Sequence, residues 1–171
     1  PVMDDALHVY HHIVPGLWCN VAGVDFGGGC YRWFRDQFMG HLPNKTVYEE
    51  MNRLAAEAPA GADGLLFLPF LTGQRCPQWD ANLRGTFFGI TPNHGQSAFL
   101  RAIMEANAYG VRGIQEIMKA NGLSVERCVI AGGISRSDIW VEIFAALLGV
   151  PLSRVNCRED TALGNMISAA N

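Results

Sequence analysis

The run Val129-Ile130-Ala131-Gly132-Gly133-Ile134-Ser135-Arg136-Ser137-Asp138 constrains the fold more than any other stretch of the chain. A short apolar strand enters two glycines, and a small polar segment then opens an amphipathic helix. Without Cβ atoms the paired glycines let the backbone turn sharply and lie against a ligand, while the helix start offers unpaired N–H groups and a positive dipole end. The run reads either as a phosphate- or nucleotide-binding turn or as a tight turn that needs positive φ. Around it the pattern predicts a strand over 128–131, a helix over 138–148, a strand over 151–155 and a helix from Thr161 onward. This β-α-β-α order is an α/β signature, and it places both strands in one sheet with the helix crossing between them.

Upstream, residues 6–14 and 18–24 read as two strands about the turn pair Pro15-Gly16. The triplet Gly27-Gly28-Gly29 breaks that pattern, and Tyr31, Phe34 and Phe38 follow at helical spacing. Thr46 with Glu49 three residues later forms a capping-box pattern for a helix through about Glu57, which Pro59 ends. Residues 60–64 are a turn, 65–70 a continuous apolar run expected to be a buried strand, 71–85 a loop, and 86–91 a further strand. Phe99, Leu100, Ile103, Met104, Val111, Ile114 and Met118 form one apolar face of a central helix over 97–120, with Asn121-Gly122 as its stop. Gly110 and Gly113 inside it cost about 1 kcal/mol each relative to alanine. Either close packing offsets that cost or the helix is locally weak.

Composition narrows the function. The chain has 171 residues, 49% of them hydrophobic and 17% charged, which excludes a disordered tail and demands extensive burial. Its net charge is -3 with Lys and Arg scattered, so no basic stripe argues for nucleic acid or an anionic membrane. Five cysteines without C-x-x-C spacing indicate neither a disulfide framework nor a zinc site, and a reducing cytoplasm fits best. No run of apolar residues has the length of a membrane helix. Both ends read as cuts through a larger fold, because no initiator methionine opens the chain and its last helix has no stop signal.

Leu65-Leu66-Phe67-Leu68-Pro69-Phe70-Leu71-Thr72-Gly73-Gln74-Arg75-Cys76-Pro77-Gln78-Trp79-Asp80, followed by Arg84-Gly85-Thr86-Phe87-Phe88-Gly89-Ile90, resembles the C-terminal domain of the FGGY carbohydrate kinases, xylulokinases and gluconokinases above all. Gly85, Phe87, Gly89, Ile90, Phe99, Ala102 and Glu105 fit a family signature, with Ala98 where a polar residue is usual. Residues 28–36, 132–137 and 159–164 fall in family order, although Asn165 and Met166 replace small alanines. The resemblance implies an actin-like ATPase (ribonuclease H-like) α/β fold and makes residues 1–171 the nucleotide-binding half of a two-domain kinase. It implies ATP and Mg²⁺ as cofactors, a small-molecule sugar substrate, the N-terminal domain of the same enzyme as partner, and a homodimer. No position here matches the family's catalytic aspartate or its magnesium-holding aspartate, so no catalytic or metal residue is assigned.

Carried over position by position, the resemblance puts Gly28 and Arg32 beside the nucleotide, where related glycerol kinases have Gly and Gln. Gly133 falls at the phosphate–adenosine end, with Gly132 beside it given a nucleotide role by the joint motif, and Ser137 falls where those kinases carry an adenine-side Asn. Each has a plainer alternative: a conformational turn for the glycines, solvent for the Arg32 guanidinium, and helix capping for the serines, since Ser135 with Asp138 also makes a capping pattern. His8, His11 and His12 do not make a metal site, because adjacent strand positions 11 and 12 point to opposite faces. Arg75 and Asp80 either line an interdomain cleft or pair with each other. No Walker-type G-x-x-x-x-G-K-[ST] occurs, so nucleotide recognition would rest on backbone amides. Two rivals stand beside the kinase reading: an actin- or Hsp70-like nucleotide module without sugar chemistry, and a non-catalytic domain that assembles through its apolar surface.

Overall fold

The computed structural model describes residues 5–24, 27–77, 79–155 and 166. Its axis is the longest of its described helices. Helix α1 spans Gly27–Phe38, α2 Val47–Glu57, α3 Gln96–Ala120 and α4 Asp138–Leu148. The apolar face of α3 buries Leu100, Ile103 and Met104 completely, and burial of such side chains stabilises by about 1.5–3 kcal/mol each. Helices α1, α2 and α4 pack around it, and Cys30, Phe34, Met51, Ala55, Ile143 and Phe144 complete one core. Helix α3 stops as expected: the Asn121 N–H donates to the Ile117 carbonyl, and Gly122 follows at φ +77. Its two glycines separate the alternatives. A Cβ on Gly110 would lie 2.7 Å from Val24 Cγ2, so close packing explains that glycine, whereas one on Gly113 would meet nothing.

The far end of α4 is closed by α3. Arg112 Nη1 donates to the carbonyls of Leu147 and Leu148, and Gln115 Nε2 donates to that of Leu148, each at 3.3 Å. These side chains satisfy carbonyls that a helix end leaves without intrahelical partners. Gly149 follows in the left-handed region at φ +64, with its N–H on the Ala145 carbonyl.

The described strands form three separate pairs. Strands β1, His8–His11, and β2, Trp18–Val21, make the expected antiparallel hairpin, with Gly16 at φ +81 in its turn. Strands β3, Leu66–Leu68, and β4, Thr86–Phe88, are antiparallel. Strands β5, Cys128–Ile130, and β6, Leu152–Arg154, are parallel with α4 between them in the chain, as the β-α-β pattern predicts. The helix expected from Thr161 onward lies outside the described residues apart from Met166.

Two expectations change. Strand β3 is not buried throughout: Phe67 faces the core while Leu66 and Leu68 are 48% and 45% exposed, because a two-stranded ribbon packs only one face on α3. The triplet at 27–29 ends the strand pattern as read and forms the first turn of α1, where a Cβ on Gly27 would meet Asn107 Oδ1 at 2.7 Å. The capping box at Thr46 does not close. Its backbone is helical (φ −115, ψ −12) rather than extended, and its hydroxyl donates to the Pro43 carbonyl.

Candidate functional site

Strand β5 leads through Ala131 into Gly132, whose backbone (φ 74, ψ −158) lies in a region open essentially to glycine alone. A single 3₁₀ turn, Gly133–Arg136, follows, and Ser137 caps α4. The Ser135 hydroxyl donates to the Gly132 carbonyl at 2.8 Å, which ties the turn to itself. Ser137, extended at φ −103 and ψ 114, accepts the Trp140 N–H on its Oγ at 3.4 Å. The capping role considered for this segment therefore falls to Ser137, which is 6% exposed; a ligand would meet only its remaining O–H. The positive φ required by the turn belongs to Gly132, not to Gly133. Both glycines are exposed, and a Cβ on either would meet nothing within 4 Å, so the space over the turn is open.

The other candidate residues lie on α1. Gly28 is exposed and open above its Cα, and Arg32 is exposed, one turn further on. Tyr31 joins the two regions: its ring lies 4.8 Å from that of Trp140 at 57°. Gly28 stands one turn before Tyr31, and Ser137 three residues before Trp140, so this contact brings the opening turns of α1 and α4 together. Tyr31 is fixed further by the O–H it donates to Asn52 Oδ1 at 3.0 Å and by the stacked ring of Tyr48. Burial, then the neighbouring Tyr48, pushes its phenol well above the usual range, so it stays neutral. Arg32 has no ion pair among the described residues. Arg35, on the same helix, lies over the Tyr48 ring and pairs with Asp36.

A cavity of about 390 Å³ lies elsewhere, between α3 and the chain at 66–77, with Leu68, Phe70, Tyr109 and Ile114 in its wall. Its lining is mainly apolar, and none of Gly28, Arg32, Gly132, Gly133 and Ser137 lines it. The histidines serve the hairpin: the His11 ring packs on Trp18, and His12 Nδ1 accepts the Val14 N–H. Asp80 pairs through its backbone with Gln74 and accepts the Asn82 N–H on its carboxylate, while Arg75 lies over the Trp79 ring. The sequence reading missed Asn107, buried in α3 with its amide on the Ile103 carbonyl, and the Asn107 amide side chain walls the start of α1. A polar residue beside Glu105 in the otherwise apolar run at 102–108 was the available signal.

The arrangement is that of a mixed α/β domain in which Tyr31 of α1 meets Trp140 of α4. The model for "FGGY family of carbohydrate kinases, C-terminal domain" matches residues 5–171. The chain is 32% identical to a xylulose kinase of Staphylococcus epidermidis over 98% of its own length and 33% of that protein's. It is 30% identical to a gluconokinase of Bacillus licheniformis, over 98% and 34%. The crystal structure of xylulose kinase from Rhodospirillum rubrum superposes with a TM-score of 0.84 at 29% identity, over 98% of this chain and 33% of that one. The chain belongs to the FGGY family of carbohydrate kinases, with the actin-like fold of that family, and it spans about a third of the length of the relatives it matches. Membership places the chain among the carbohydrate kinases by family, not among the actins or Hsp70 proteins.

Proposed function

We propose that this chain is the ATP-binding half of a sugar kinase that moves the γ-phosphoryl of ATP to a hydroxyl of an open-chain or keto sugar. D-xylulose is the first choice of acceptor, with gluconate and other polyols next, following the relatives. The observation that carries the reading is the open turn at Gly132 and Gly133 beside the capped start of α4. Phosphoryl transfer depends mainly on positioning and charge neutralisation, and backbone N–H groups at a helix start suit a phosphate chain. The glycine turn fits ATP because no Cβ obstructs approach, and Gly28 leaves similar space at α1. In this reading Gly132 and Gly133 meet the phosphates, Gly28 and Arg32 flank the nucleotide, and Ser137 offers its O–H toward the adenosine end. Mg²⁺ accompanies the ATP phosphates; among the described residues no group of three His, Cys, Asp or Glu could hold a metal. The sugar site and the proton acceptor belong to a partner domain of the same enzyme.

A cytoplasmic setting accompanies the proposal, supported by four free thiols among the described residues, none of whose helices is long and apolar enough to cross a membrane. A homodimer is part of it as well, to be read from the mass of the full-length enzyme in solution.

Gly133→Val in the full-length enzyme tests the site. Its Cβ would enter the space over the turn with no protein atom within 4 Å, so the melting temperature should hold. The ATP KM should rise at least tenfold, the equivalent of one lost hydrogen bond to charged phosphate at about 1.5–3 kcal/mol, with the sugar KM little changed. An unchanged ATP KM in the folded variant would remove Gly133 from the site.

A further inference from the structure

Between α2 and β3 the chain makes a turn in which four consecutive residues lie in the left-handed region: Gly61 (φ 82), Ala62 (φ 46), Asp63 (φ 55) and Gly64 (φ 87). Glycine enters that region freely and aspartate more readily than most, but a Cβ at Asp63 and above all at Ala62 crowds the following carbonyl, so the turn is held against its own preference. Two side chains from outside hold it. Glu105 Oε1 accepts the Gly61 N–H at 2.9 Å and is itself held by Arg101 Nε at 2.6 Å. These two side chains are only 6% and 12% exposed, so the pair is little screened by water. At the other end, His94 Nδ1 accepts the Thr91 N–H, which leaves the proton on Nε2, 3.3 Å from the Asp63 carbonyl. Gly89 closes the arrangement, since a Cβ there would lie 2.9 Å from the Gly64 carbonyl oxygen.

The turn thus lies between α3, which carries Arg101 and Glu105, and the β3–β4 ribbon, which begins at Leu66 immediately after it. Leu66, Leu68 and Phe88 on the other face of the ribbon are exposed within this third of the protein, Leu66 and Leu68 over the apolar cavity, so Phe67 is the ribbon's main hold on the core. We propose that the 61–64 turn is a strained latch: Glu105 and His94 hold it closed, and its release lets the β3–β4 ribbon, with one wall of the apolar cavity, open away from α3 as a unit. Glu105 and His94 are positioning residues in this device. It stands on the fold and does not depend on the nucleotide reading.

Hydrogen exchange on the full-length protein, read peptide by peptide, tests the latch. Glu105→Gln keeps an acceptor for Gly61 but removes the charge, and it should speed exchange over 61–70 and 86–90 by about tenfold, with 128–154 unchanged. His94→Ala should speed the same peptides from the other end, and it serves if the Glu105 variant does not fold. Asp63→Gly, which removes a Cβ from the left-handed region, should slow exchange there several-fold on its own and partly reverse the effect of Glu105→Gln. A uniform rise across all peptides, no rise in either clamp variant, or no slowing in Asp63→Gly would overturn the proposal. The last readout separates a strained latch from a pair of ordinary stabilising contacts, which relief of backbone strain at Asp63 would not mimic.

Discussion

Gly132 and Gly133 are neighbours with different requirements, and substitution should separate them. At Gly132 the backbone itself demands glycine, so Gly132→Ala should lower stability by about 1–3 kcal/mol, seen as a lower melting temperature. At Gly133 only the space above the turn is at issue. Both glycines stand out in the sequence; which of them carries the positive φ does not, because that is decided by how β5 meets the 3₁₀ turn. Cys30 shows a second property of single residues. It is wholly buried beside the Pro69 carbonyl, and burial pushes its thiol up to about 12 from an ordinary 9. The folded state therefore prefers the protonated thiol more strongly than the unfolded chain does. Its contribution is complete below about pH 9 and is lost as pH rises toward 12, by at most tenfold in the folding equilibrium per pH unit. Cys30→Ala should flatten that part of the alkaline stability curve, measured by denaturant unfolding at stepped pH, and leave the Tyr31 phenol and the Cys128 thiol, both also pushed up by burial, to contribute to what remains.

At the scale of elements, identical sequence signals met different backbones. Thr46 and Ser137 are both good N-cap residues, yet only Ser137 is extended enough for its side chain to turn back onto the helix. Ser137→Ala should cost about 1 kcal/mol through α4, while Thr46→Ala should cost less than half of that in the same unfolding experiment. The glycines of α3 make a matching pair. Gly110→Ala drives a methyl into Val24 and should destabilise by about 1–3 kcal/mol, whereas Gly113→Ala fills open space and should stabilise by up to about 1 kcal/mol. Periodicity revealed the length of α3 and the crossing of α4 between parallel strands, since both follow from spacing along the chain. It could not show which glycine faces a neighbour, nor that β3 presents Leu66 and Leu68 outward, because those depend on partners distant in sequence.

On the scale of the whole molecule, the chain corresponds to a third of its relatives, and the proposed division of labour has a direct outcome. Assayed alone, the domain should release no sugar-dependent ADP above a blank; release that a Gly133 substitution abolishes would place the chemistry in this half after all. The resemblance read from residues 65–90 reached the family directly, since its signature is local. The meeting of α1 and α4 through Tyr31 and Trp140 was not legible, because two aromatics assigned to the core carry no mark of which helices they join.

The grip of Arg112 and Gln115 on the last carbonyls of α4 makes that helix a lever with its fulcrum at the end remote from the glycine turn. Eleven residues span about 16 Å, so a tilt of roughly 5° about the held end swings the tip by about 1.4 Å. Displacements of that size are enough to misalign hydrogen bonds on a phosphate. Arg112→Ala, a change on α3 at the end of α4 remote from the glycine turn, should accordingly raise the ATP KM under the proposed function while leaving the turn's own residues untouched. Aim, in such a domain, is set from behind.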